Sequence, residues 1–442
     1  MTGPYQRPLF QRLFNVRREE LWPVSLAVAF FFCVLTALMV LRPARESLGL
    51  QGGMDAVRWL FIGTALITLM LNPLFGLLVS RLRRMQFISA TYLFFVCSLL
   101  AFFLIMTLAP EAIGVTTGQV FYVWFSVFNL FATMLFWALM ADRFSLDQAK
   151  RFFGLIAVGG TCGAIFGPWL ASVLAAPLGT PALLLIACGF LLLALAAAWA
   201  ISRIQPEQQS PAPLPQERIG GSAWEGLRAT FTSPYLLGIA SYVLILAVMA
   251  TFIYFTKLQM VADHGDGLDS RTALFAQIDL ITQIATLVLQ VLVAGHLMKR
   301  VGVHITLALL PLTALLGFVG LALVGSLAAL IVFEAAYRAV QRAIMRPARE
   351  TLFTVVKRED KYKAKAFIDT FVYRGGDVAG AQVEGLLGRL GMGLAAIASV
   401  AVPLALVWAM LALWLGRTQQ RIAGTSMATG DNQDAPGDLS SP

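Results

Sequence analysis

Charge is what this chain has little of. Only 13% of its 442 residues are Asp, Glu, Lys or Arg, against 58% hydrophobic ones. A soluble domain carries about a quarter charged residues, so a water-soluble globule of this size is excluded. Histidine is scarce: His264, His296 and His304 are the only three, they lie at span ends or in loops, and they form no zinc or catalytic cluster. Cys33, Cys97, Cys162 and Cys188 fall in apolar runs without metal-ligand spacing and read as packing residues. No G-x-x-x-x-G-K-(S/T) string occurs, so neither a P-loop nor nucleotide hydrolysis is expected. Period-2 alternation is also missing, which argues against a β-barrel.

Long apolar runs are what the chain has instead, with a mean hydropathy of +0.77. In lipid the backbone must satisfy its own hydrogen bonds, and about 20 helical residues cross a core of roughly 30 Å. Twelve helical spans are expected, at about 22–41, 57–79, 85–108, 119–140, 153–176, 181–203, 234–256, 272–295, 303–323, 325–345, 366–388 and 392–415. The fold class is an all-α membrane protein. The Pro-, Gln- and Ser-rich stretch 204–233 reads as a linker between six-helix halves at 1–203 and 234–416. The tail 417–442 is expected to be disordered. No cleavable signal peptide is expected, because no small-residue cleavage site follows the long first run.

Basic residues set the orientation. With both termini cytoplasmic, 24 of the 33 Lys and Arg lie inside and six outside: Arg42, Arg45, Arg58, Lys257, Arg271 and Arg389. Arg338, Arg342 and Arg374 fall within spans. The net charge of +9 is therefore mostly topology, and no nucleic-acid partner is expected.

Two strings repeat: "LRPARESLG" at Leu41–Gly49, ending span 1, and "MRPARETLF" at Met345–Phe353, ending span 10. Pro43 and Pro347 are expected to help stop or kink their helices. The arginines either snorkel at helix ends or form a cationic gate at each mouth. Within span 10, Glu334, Arg338, Arg342 and Arg346 recur every four residues and form one stripe. Such a stripe must face a wet cavity or partners, because a charge at the bilayer centre costs about 2.5–3.5 kcal/mol. Span 11 adds Asp369, Arg374, Asp377 and Glu384, and span 8 shows Asp279, Gln283, Thr286 and Gln290 on one face. Either these groups form a buried salt-bridge network or they line an aqueous anion pathway.

Six spans, an inner linker and six spans resemble the major facilitator architecture. The loops "GLLVSRLRR" (Gly76–Arg84) and "GHLMKRVG" (Gly295–Gly302) are similar to that superfamily's G-x-x-x-(D/N)-(R/K)-x-G motif, without the usual acid at Ser80 and Lys299. The resemblance implies that spans 1, 4, 7 and 10 line a central cavity, each finishing on a basic group, with Asp142 and Arg143 ending span 4 and Lys257 ending span 7.

A narrower resemblance rests on "LFWALMADRFSLDQAKRFFGLIA" (Leu135–Ala157), "FTSPYLLGIASYVLI", "LRPARESL" and "RPARETLFTVVKREDKYKAKAFIDTFVYRGGDVAG". These are similar to segments of the nucleotide transporter family, the ATP/ADP translocases of plastids and obligate intracellular bacteria. The resemblance implies a secondary active transporter of an anionic, phosphorylated or nucleotide-like solute, with ATP:ADP-type antiport as its sharpest form. It implies a monomer in a bacterial inner membrane, with membrane lipids and a small anion as partners, no cofactor and no enzymatic activity. Arg42, Arg45, Lys150, Arg338, Arg342, Arg346, Lys363 and Arg374 are the candidate substrate contacts, since guanidinium and ammonium groups suit phosphate oxygens. Glu46, Asp142, Asp279, Glu334, Asp369 and Asp377 are candidates for coupling or gating. In "MATFIYFTKLQMV" only Lys257 stands where the translocases carry a glutamate followed by a lysine, so ATP itself is less secure than transport. A proton-coupled carrier of another metabolite, a membrane enzyme and a non-transporting scaffold or receptor remain alternatives. The topology predicts that, with the native cysteines removed, Ala112→Cys reacts with an impermeant maleimide on intact cells and Gln209→Cys does not; the reverse pattern would invert the orientation.

Overall fold

The computed structural model describes residues 19–81, 84–108, 110–204, 223–292, 294–356, 358–390 and 393–431. Among them nine helices are long and apolar enough to cross a membrane. Span 1 is Leu21–Leu50, span 2 Gly53–Arg81, span 3 Arg84–Leu108, span 4 Pro110–Arg143, span 5 Leu146–Leu178 and span 6 Thr180–Arg203. Span 7 is Pro234–His264, span 8 Leu268–Leu292, span 9 Ala294–Val324 and span 12 Leu394–Asp431. Spans 10 and 11 are composite. Span 10 runs as Leu327–Val340, a π turn Gln341–Met345 and Arg346–Leu352; span 11 as Arg358–Phe367, a π turn Ile368–Val372 and Tyr373–Arg389. A short helix, Ala223–Thr232, precedes span 7.

Neither proline of the repeated strings stops its helix. Span 1 continues through Pro43, past the expected end at 41, to Leu50. A membrane helix tolerates the missing donor because neighbouring groups satisfy the freed carbonyl. Pro347 sits in the first turn of Arg346–Leu352, directly after a π turn. Its ring would crowd the carbonyl four residues back, and the wider i→i+5 turn gives it room. Gly302, by contrast, does break a helix: at φ 77° it separates the loop end of span 9 from the membrane helix, which starts where the apolar run does. Span 12 stays helical beyond Arg417 to Asp431, further than composition suggested. There Gln419 Nε2 donates to Thr351 O at 3.3 Å and ties the extension to the end of span 10. The last residues of the tail, 432–442, and most of the linker, 205–222, lie outside the described residues.

The chain groups into two compact units, Met1–Leu214 with Leu258–Gln283, and Pro215–Lys257 with Ile284–Pro442. One boundary falls inside the polar stretch 204–233; the others cut spans 7 and 8. In the first unit an aromatic core joins spans 1, 3 and 4: Phe31 stacks on Phe136 at 4.1 Å, and Phe30 meets Phe136 edge-on at 5.0 Å. Span 5 lies against span 1 through glycines four residues apart. A Cβ on Gly159 would reach Val28 O at 2.5 Å, one on Gly163 would strike Phe32 O, and one on Gly167 would reach Thr36 O at 2.9 Å. This is the small-x-x-x-small face that lets membrane helices approach closely. In the second unit Tyr242 packs on Trp408 at 5.3 Å and donates to Leu307 O at 3.1 Å.

Gly163→Val puts a branched side chain against backbone that cannot yield. It is expected to cost about 1–3 kcal/mol, the usual range for overpacking. Gly154→Ala, where nothing lies within 4 Å, is expected to be neutral. Melting temperatures of the two purified variants in detergent check this, and equal values would refute the packing account.

Candidate functional site

In the second unit, helical spacing places Glu334 and Arg338 one turn apart on span 10, and they meet. Arg338 Nε donates to Glu334 Oε1 at 3.3 Å. Lys257 Nζ of span 7 reaches the same oxygen at 3.4 Å. Lys257 was expected at the outer end of span 7; the helix instead continues to His264 and buries it. Arg338 is less buried and turns Nη1 to Gln341 Oε1 at 3.2 Å, at the start of the π turn. A regular helix would carry each fourth residue forward by about 40°. The wider π turn lets the register fall back, so Arg342 and Arg346 stay near the line that Glu334 and Arg338 begin. Arg342 is half-buried and Arg346 exposed.

At the C-terminal end of span 10, Arg349 pairs with Glu350 at 3.3 Å and with Asp369 of span 11 at 3.2 Å. Lys365, on the helix Arg358–Phe367, also pairs with Glu350 and lies 5.7 Å from the Phe353 ring. Glu350 thus sits between two cations, Lys365 and Arg349. Lys363 is half-buried on the same short helix. Deeper in span 11, Arg374 pairs with Asp377 at 3.2 Å, and Thr251 of span 7 donates to the same carboxylate at 3.5 Å. Gly376 permits this approach: a Cβ there would reach Leu244 O at 2.8 Å.

The first unit carries the other repeated string. Arg45 pairs with Glu46 at 2.8 Å, lies 3.6 Å above the Tyr122 ring and donates Nε to Tyr122 O at 3.4 Å. In both strings, then, the second arginine pairs with the glutamate that follows it. Arg42 meets Asp279 of span 8 at 3.5 Å. Nearby, Asp269 Oδ1 accepts from the Thr180 backbone N–H at 2.6 Å, and the Thr180 and Thr272 hydroxyls lie 3.0 Å apart. At the other end of span 1, Glu20 binds Arg151 at 2.8 Å and accepts from Gln148 Nε2 at 3.4 Å. Gln148 also completes a capping box with Ser145, so the "DQAKRF" segment starts a helix as well as carrying charge. Arg143 donates to Ser202 O and to Ile204 O, the latter at 3.1 Å, satisfying backbone at the end of span 6. Asp142 is exposed.

The structure thus brings Glu334, Arg338, Arg342 and Arg346 together on one span, with Arg374 and Asp377 beside them on the next. It holds Arg42, Arg45, Glu46 and Asp279 in the first unit. The side chains of Lys150, Ser80, Arg81 and Lys299 lie outside the described residues. Sequence reasoning missed Lys257 as the partner of Glu334, Arg349 as the partner of Asp369, and Glu20 altogether. A single lysine inside "FIYFTKLQMV" was the available signal for the first.

A family model described as Major Facilitator Superfamily matches residues 24–343. ADP,ATP carrier protein 1 of Chlamydia pneumoniae is similar at 21% identity over 492 residues, covering 94% of this chain and 96% of that protein. Among solved structures, an inward-facing, unoccupied bacterial homolog of the human lysosomal transporter Spinster matches with a TM-score of 0.60 and 13% identity, covering 92% of this chain and 98% of that one. A mutant of the nucleoside transporter NupG matches with a TM-score of 0.58 and 13% identity, covering 90% and 99%. At these identities the structural likeness speaks for the fold alone.

Glu334 compensates two cations, buried Lys257 and half-buried Arg338, so its removal is the damaging one. Glu334→Ala is expected to destabilise by about 3–5 kcal/mol, as for other broken buried pairs. Arg338→Ala leaves Glu334 on Lys257 and is expected to lower the melting temperature less; the opposite order would break the assignment.

Proposed function

Because the chain belongs to the Major Facilitator Superfamily, and is therefore a multi-pass membrane transporter, we propose that its cargo is an anion bearing phosphate, of nucleotide kind, moved by alternating access as a secondary active process. The observation that carries this reading is the run of arginines on span 10, joined by Arg374 of span 11. Along it exposure rises from Glu334, 2% exposed, through Arg338 to the exposed Arg346. A planar guanidinium fork suits phosphate oxygens, which it can bind in bidentate fashion. Similarity to a carrier named for ADP and ATP, along nearly the whole chain, supports the nucleotide form and an exchange of one nucleotide for another. In this reading Arg338, Arg342, Arg346 and Arg374 contact solute, with Lys363 at the inner mouth. Arg42 and Arg45 with Asp279 and Glu46 guard the outer end, and Asp369 and Asp377 hold arginines in place. The protein then sits in a bacterial inner membrane with both termini cytoplasmic and works as a carrier, not an enzyme.

A proton-coupled carrier of another small metabolite is the second reading, and buried Asp377 and Glu384 in span 11 support it, because a buried carboxylate can carry a coupling proton. Flux into proteoliposomes separates these readings from each other and from a scaffold or receptor. Vesicles loaded with ADP are expected to take up labelled ATP without an imposed pH gradient, unaltered chemically. ATP, ADP or pyrophosphate is expected to stabilise the purified protein, by about 2.7 kcal/mol at a hundred times Kd, and less in high salt. Stabilisation by neutral or cationic compounds alone would refute the anion reading.

A further inference from the structure

Spans 9 and 12, both in the second unit, carry a surface that solute binding does not use. On span 12, Val407, Met410, Trp414, Arg417 and Arg421 are all exposed and recur at steps of three and four. They form one stripe along the helix, apolar first and basic last. Span 9 crosses span 12 where the stripe changes character. A Cβ on Gly416 would strike the His304 backbone, and one on Gly302 would come within 3.4 Å of Gln420 Nε2. Gly302, at φ 77°, breaks span 9 here, so exposed Arg300, two residues before the break, stands at this crossing. Trp414 lies over Gly238 of span 7, where an added Cβ would reach its ring at 2.5 Å, and is still 44% exposed. Among the described residues neither Arg300 nor Arg417 makes an ion pair or a side-chain hydrogen bond. The span 12 extension is tied to the end of span 10 through Gln419, and the acid there, Glu350, is engaged by Lys365 and Arg349.

Val407 and Met410 stay exposed with the whole chain in place, and what surrounds a membrane span is lipid. An aromatic ring between apolar and basic residues marks the membrane–water interface. Basic residues between spans at that level hold anionic headgroups, and a guanidinium fork takes phosphate oxygens two at a time. We propose that the crossing of spans 9 and 12 binds an anionic phospholipid. Its phosphate sits on Arg300 and Arg417, an acyl chain runs along Met410 and Val407, and Trp414 lies at the boundary between them. The lipid surface is separate from the arginines of span 10 and depends neither on the solute nor on the direction of transport.

The test titrates the purified, delipidated full chain in detergent with phosphatidylglycerol or phosphatidylcholine, read by native mass spectrometry and by melting temperature. Phosphatidylglycerol is expected to bind the more tightly and to raise the melting temperature more. Arg300→Gln and Arg417→Gln are each expected to weaken it about fivefold, with binding of phosphatidylcholine unchanged. Arg203→Gln with Arg228→Gln removes two exposed arginines from other helices and is expected to leave phosphatidylglycerol binding as in the wild type. If the double variant of Arg300 and Arg417 does not fold, each single variant must show its own loss. The inference is overturned if the folded variants bind phosphatidylglycerol like the wild type, or if the control pair loses as much, which would leave only diffuse charge. It is overturned as well if soluble glycerol phosphate stabilises as strongly as the lipid, which makes this a free-anion site, or if the spectra show a dimer that the same substitutions dissociate, which makes the occupant a second copy. Failure of the wild type to bind pyrophosphate, ADP or ATP would end the anion reading of the transported solute and leave this inference standing.

Discussion

A charge in hydrocarbon needs a partner, and that requirement organises most of what this chain does with its few ionisable residues. Glu334 is the centre of it. Its carboxylate is nearly inaccessible and joins span 7 to span 10 through Lys257, while Arg338 one turn away binds the same oxygen. The same rule holds Arg374 to Asp377, Arg349 to Asp369 and Arg42 to Asp279. A buried pair such as Lys257–Glu334 adds little net stability over apolar packing, but breaking it is costly. Such pairs act less as glue than as a constraint on which spans can be neighbours and in what register.

The register is where the helices depart from regularity. Both π turns lie in the two spans that carry the most charge, and each sits between charged groups: Gln341–Met345 between Arg338 and Arg346, Ile368–Val372 between Lys365 and Arg374. A π turn inside a helix is uncommon and is often found at functional sites. In span 10 it serves two local needs at once, room for Pro347 and alignment of the arginines. The repeated strings have a similarly local meaning. In each, an arginine pairs with the glutamate next to it, so the string folds into the same small unit wherever it occurs.

The first unit draws in the end of span 7 and the start of span 8, Leu258–Gln283, through polar ties: Asp269 to the first turn of span 6, Thr272 to Thr180, Asp279 to Arg42. Hydrogen bonds and ion pairs of moderate length can break and reform at modest cost, unlike the glycine-mediated packing of span 5 on span 1.

How much was legible in the residues depends on the distance over which each feature acts. Span number and the all-α class follow from apolar run lengths, because lipid forces each run to satisfy its own backbone. The pairing of Glu334 with Arg338 follows from a four-residue spacing, and the arginine stripe from the same period. Lys257 was visible but assigned to a helix end, since its partner lies 77 residues further on and no local pattern points there. The same is true of Arg42 with Asp279 and of Glu20 with Arg151. Pro43 reads locally as a helix terminator; the tertiary setting overrides it by supplying the freed carbonyl with neighbours. The sequence by itself determined which stretches cross the membrane and which charges they carry, because those are properties of a single helix in oil. Only the tertiary structure decided which charge answers which, because that depends on spans distant in the chain being brought within about 4 Å of one another.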